Sequence, residues 1–133
     1  MQTKPVLTLA ETMRILEAAR VEAEKNKWPV AIAVVDDGGH LLGLLRLDGS
    51  APISSETATG KARTSAVGRR ESRLYEEMIN NGRIAFLSVA LVATLEGGVP
   101  VIVEGQIVGA VGVSGVKPGE DAQVARAGAQ AVL

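Results

Sequence analysis

Near the C-terminal end of the chain, the run Gly109-Ala110-Val111-Gly112-Val113 sets the tightest constraint on the fold. Gln106 to Ser114 reads as a strand, and a strand that omits side chains at repeated positions requires its partner to lie close over the gaps. Matching surfaces exist elsewhere in the chain. Ala58, Ala62 and Ser65 or Ala66 recur three or four apart on one helix face, and a final helix from Ala122 to Val132 again has a small-residue face, with Ala125, Gly128 and Ala129. The 15 glycines and the 2% aromatic content, from Trp28, Tyr75 and Phe86, agree with an interior of closely approaching backbones. They also make stacking platforms for bases or flat cofactors scarce.

The remaining elements follow from local signals. Thr8 and Glu11 match a capping box and predict a helix that ends near Lys27, with Leu9, Met13, Leu16, Ala19 and Ala23 as its apolar stripe. Pro29 disfavours helix at Trp28 and opens the β-branched run Val30 to Val35, a strand. Asp36-Asp37-Gly38-Gly39 turns the chain into a second strand, Leu41 to Leu47. Ser54 or Ser55 caps a helix from about Glu56 to Gly68, and Ser72 caps a shorter one stopped at Asn81-Gly82, with Arg73 and Glu77 pairing on a solvated face. Ile84 to Leu95 is ambiguous between a buried strand and a helical turn. Val99 to Val103 is a strand that Glu104-Gly105 turns back into the glycine-spaced one. Hairpins at both ends, rather than alternating βαβ units, predict an α+β fold with an antiparallel sheet, in one domain spanning residues 1–133.

Several functional classes fall away on composition. Zero cysteines exclude disulfide frameworks, thiolate metal sites and a cysteine nucleophile. Fourteen Lys and Arg against fifteen Asp and Glu leave no basic excess for nucleic acid. The stretch Met1 to Leu9 lacks the pattern of a signal peptide, and Ile84 to Leu95 is far short of the roughly 20 apolar residues that cross a bilayer. A soluble, cytoplasmic protein without membrane or nucleic-acid partners is the expectation. Gly60-Lys61 lacks the rest of a phosphate loop, since Ser55 and Ala62 stand where the first glycine and the final hydroxyl belong.

Four residues carry the candidate chemistry. Lys61, a long cation among Ala58, Ala62 and Ser65, is expected to reach an anionic ligand. Arg46 is placed to clamp a carboxylate, or to pair with Asp48. Glu96 precedes two glycines and could face a pocket lined by bare backbone. His40, the only histidine, stands at the exit of the hairpin turn and is the candidate haem-iron ligand, while no set of residues forms a metal site.

Val34-Val35-Asp36-Asp37-Gly38-Gly39-His40-Leu41, Arg46-Leu47-Asp48-Gly49, Lys61-Ala62-Arg63-Thr64-Ser65-Ala66, Gly97-Gly98-Val99-Pro100-Val101 and the glycine-spaced strand through Gly115 occur in an order that resembles the GlcG/HbpS family. That family includes the C-terminal domain of PduO-type cobalamin adenosyltransferases. The resemblance runs from about Leu7 to the C-terminus and implies a profilin-like sheet of about five strands flanked by helices, assembled into homo-oligomers, commonly octamers. It also implies a small-ligand-binding accessory protein, with haem as the ligand of some members. In the cobalamin-linked members a histidine on the N-terminal helix holds haem, and Leu9 to Lys27 contains none here; Met13, Tyr75 or His40 would have to serve. The competing expectations are an enzyme acting on an organic acid, with Lys61 and Arg46 in its pocket, and a structural accessory protein without a site.

Overall fold

The computed structural model describes residues 1–91 and 93–133. The elements run α1 (Leu9–Lys25), β1 (Ala31–Asp36), β2 (Leu41–Arg46), α2 (Ile53–Gly68), α3 (Ser72–Asn80), a short 3-10 helix (Ile84–Ser88), β3 (Gly98–Val103), β4 (Gln106–Ser114) and α4 (Pro118–Gln130). Four strands form one sheet in the order β2-β1-β4-β3, and every neighbouring pair is antiparallel. The resemblance implied about five strands. The segment that was open to a further one, Ile84 to Leu95, begins as the 3-10 helix and contains Val92, which lies outside the described residues.

Strand β1 is buried on both faces, which explains its unbroken apolar run. Ile32 and Val34 point into a core shared with Ile15, Ala19, Val111, Val113, Val124 and Ala125, under α1 and α4. Ala31, Ala33 and Val35 point the other way, to Ala58, Ala62 and Ala66 of α2. The glycine-spaced strand meets its expected partner there. A Cβ at Gly112 would overlap the Ala58 carbonyl oxygen and crowd the Ala62 nitrogen, so α2 lies directly on the β4 backbone.

Local signals are kept at some ends and replaced at others. Thr8 and Glu11 form the capping box of α1, and Arg73 bonds Glu77 at 2.9 Å. Ser72 is not a cap: it is the first residue of α3, and its hydroxyl is drawn away to donate to the Leu95 carbonyl and to accept the Gly98 N–H at 2.8 Å. Helix α2 starts after Pro52 without a side-chain cap. In α1 the buried face is Thr12, Ile15, Leu16, Ala19 and Ala23, whereas Leu9 and Met13, counted into its stripe, are 73% and 57% exposed. The apolar set of this helix is wider than the surface that covers it.

Candidate functional site

Lys61 lies midway along α2 and is 4% exposed. Its Nζ donates to the Val113 carbonyl and to Asp121 Oδ2, each at 3.0 Å. Asp121, in the first turn of α4, is equally buried and uses its other oxygen to accept the Val116 N–H at 3.1 Å. Burial pushes the Asp121 carboxyl above its ordinary range, against the pull of the Lys61 ammonium and the backbone donor. The start of β3 closes over this pair. Gly97, at φ +133°, would place a Cβ 2.8 Å from the Lys61 ammonium, and one at Gly98 would overlap the Lys61 carbonyl oxygen. The anion that Lys61 holds is thus internal, and the ion pair clamps α2 to α4 across the end of β4.

The structure does not bring Arg46 to Lys61, and Glu96, although it adjoins the Gly97 that lies on the Lys61 side chain, makes no ion pair or hydrogen bond with the ammonium. Arg46 ends β2, at one edge of the sheet, and Glu96 precedes β3, at the opposite edge. Three strand spacings, roughly 14 Å, separate those edges, with β1 and β4 between them. The expected Arg46–Asp48 pair is not formed among the described residues. His40 has a side chain 81% exposed, with Nδ1 3.1 Å from Asp36 Oδ1. The same oxygen accepts the backbone N–H groups of Gly38 and His40 at 2.9 Å each, which fixes the turn. Partial burial raises the Asp36 pKa, but these donors outweigh it and hold the carboxyl below its usual range. Tyr75 donates its hydroxyl to the Gly68 carbonyl at 3.1 Å and stacks on Phe86, so it is committed internally.

What the structure opens instead is a groove between α1 and β2, about 890 Å³ in volume and mostly apolar. Met13 and Leu16 form one wall and Gly43, Leu44 and Leu45 the other, with Arg14 and Arg20 at the margin. Strand β2 is an edge strand whose Leu41, Leu42 and Leu44 are 51%, 39% and 38% exposed. Gly43 lets α1 approach, because a Cβ there would meet Leu16 Cδ1 at 2.8 Å. Arg20 bonds Glu17 and Glu24, which raises its pKa further. Arg14 is 3.9 Å from Glu11. Sequence reasoning offers Met13 both as a residue of the apolar stripe and as a possible haem ligand, but misses the groove and its β2 wall; the available signal was that the stripe of α1 exceeds what one sheet edge can cover. Among the described residues no cluster of three or more His, Asp or Glu could hold a metal, and no helix is long and apolar enough to cross a membrane.

An antiparallel four-stranded sheet with α1 and α4 on one face and α2 on the other, grooved between its first helix and its edge strand, defines a class of small α+β proteins to which several solved structures belong. A double mutant of HbpS from Streptomyces reticuli superposes with a TM-score of 0.88 at 34% identity, over 100% of this chain and 90% of that one. A complex of PduOC with haem shares the fold at a TM-score of 0.86 and 23% identity, covering 96% and 95% of the two chains. Protein GlcG of Escherichia coli K12 is 57% identical over 114 residues, 86% of this chain and 85% of its own length. The model of the haem degrading protein HbpS-like family matches residues 7–130. The chain belongs to this GlcG/HbpS family.

Proposed function

We propose that the protein is a haem-related, small-ligand-binding accessory protein of the cytoplasm that takes a haem-class tetrapyrrole into the α1–β2 groove and works as an even-numbered homo-oligomer, the octamer being the form its family resemblance implies. The observation that carries this reading is an exposed thioether, Met13, set in an apolar groove of about 890 Å³. The residues fit such a group: aliphatic walls receive the flat macrocycle, and methionine sulfur is a soft iron ligand. The haem complex of PduOC and the haem-degrading description of the family support the choice of ligand. Haem, when bound, supplies redox-active iron; the chain supplies the apolar walls, the thioether and the marginal guanidinium groups. The leucine-lined, unpaired edge of β2 supports self-association, because such an edge exposes free backbone donors and acceptors. The organic-acid enzyme loses its main residue, since Lys61 is already neutralised inside the protein.

Titration with ferric haem, followed by the Soret band, tests this. Saturable binding is expected, weakened at least about tenfold by Met13→Ala, a loss that even outer partners of a metal ligand produce. His40→Ala is expected to leave the band unchanged. A band that responds to His40→Ala and ignores Met13→Ala moves the site to the hairpin turn, and absence of saturable binding overturns the haem reading. Sedimentation at micromolar concentration tests assembly, and a monomer would overturn that part.

A further inference from the structure

The groove does not end at Arg20. This side chain lines the groove, and its Nη1 donates at 2.6 Å to Glu24, which lines a second hollow of about 450 Å³ farther along the same helix. Strand β2 passes likewise from Leu45 in the groove to Arg46 in the hollow. The two cavities have no lining residue in common but adjoin along α1 and the edge strand, and we treat them as one trough; Arg46 stands three residues from Gly43, roughly 10 Å along the strand.

The hollow differs from the groove in chemistry. Its other named walls include Lys27, Trp28 and Asp48. Lys27 is turned outward by a left-handed residue conformation, φ 59°, where the backbone leaves α1 and the Trp28 N–H closes on the Ala23 carbonyl at 2.9 Å. Among the described residues the side chains of Arg46 and Lys27 make no ion pair or hydrogen bond, and the Trp28 indole N–H has no acceptor. Glu24 shares the single charge of Arg20 with Glu17, so the two uncommitted cations face the uncommitted carboxylate of Asp48 and a partly compensated Glu24. Asp48 is two residues from Arg46 and still leaves it unpaired. A hollow with three idle donors, at the end of an apolar trough, is complementary to a carboxylate carried on an apolar body.

We infer that this hollow is the carboxylate-binding end of the trough, where Arg46, Lys27 and the Trp28 indole N–H receive a propionate of the tetrapyrrole whose ring lies against Met13 and the leucines of β2. The inference rests on the haem reading and adds a selection rule to it: the protein discriminates acidic tetrapyrroles from their esters.

The probes are ferric haem and its dimethyl ester, titrated by absorption into the full chain and into Arg46→Met, Lys27→Met and the double variant. Both residues are on the surface, and methionine keeps their stems, so circular dichroism should show unchanged folding. The diacid is expected to bind about tenfold more tightly than the diester, which is the scale of one charge-assisted hydrogen bond. The double variant should bind both alike, and added salt should weaken only the diacid on the unsubstituted protein. Saturable binding with equal affinity for diacid and diester, or a double variant that keeps the preference, overturns the carboxylate hollow and leaves the Met13 groove standing. No saturable binding of either probe overturns both.

Discussion

The α2 face of the sheet and the α1–β2 edge are built by opposite means. On the α2 face small side chains bring backbones into contact and seal a lysine against an aspartate; at the edge, large aliphatic side chains and a methionine face outward. The residue that looked reactive, Lys61, is consumed in holding the fold, and Met13, whose spacing places it in the core stripe, is left open. A charged residue among small neighbours is ambiguous until its partner is known, because burial with a counter-charge and exposure to a ligand call for the same residue types.

The contrast is broken most severely at the ion pair. Asp121→Ala leaves the Lys61 ammonium buried and unpaired, and the expected loss is about 3–5 kcal/mol in urea unfolding. The double change Lys61→Met with Asp121→Leu should recover most of that stability; if it is no better than Asp121→Ala, the clamp is not an isolated pair. Next in size is Gly112→Ala, which drives a methyl into the α2 backbone and should cost about 1–3 kcal/mol or more, seen as a lowered Tm. Gly43→Ala meets side-chain methyl groups, the flexible end of Leu16 and Thr12 Cγ2, rather than backbone, and should cost less than Gly112→Ala, about 1 kcal/mol.

A pH series sharpens the comparison at the turn beside the edge. The folded Asp36 pKa lies below its unfolded value of about 3.9, so its contribution is present above that pH and is lost as pH falls through the folded value. Between about pH 5 and 3 the wild type should therefore lose more stability than Asp36→Asn, by under about 1 kcal/mol given the half-exposed site. Equal losses would show that the turn does not depend on the charge. Smallest of all, Met13→Ala should change unfolding free energy by no more than about 0.5 kcal/mol, because its side chain is largely exposed.

Much of the fold is written in short-range signals. The capping box at Thr8, the break at Pro29, the Asp36–Gly39 turn and the Gln106–Ser114 strand all stand where local chemistry puts them. Failures occur where a side chain answers to a distant segment. Ser72 abandons a cap for Leu95 and Gly98, and Lys61 finds its carboxylate on Asp121, in another helix. Neither partner can be located from spacing along one element. The groove was hidden for a related reason: periodicity tells which residues of α1 share a face, not where the sheet beneath that face stops.

The position of β4 has a consequence for how the molecule forms. The central contact of the sheet joins Ala33 to Gly112, so the strand made early in synthesis waits for almost the last one. Until then β1 has only β2 beside it in the sheet, and its other edge is unpaired. Closing so long a loop slows folding and lengthens the interval in which an unpaired, β-branched strand can pair with another chain. A nascent chain of this protein released before Gly112 would carry an intact first hairpin with no second half to shield it, which makes premature termination a source of aggregates rather than of smaller folded fragments.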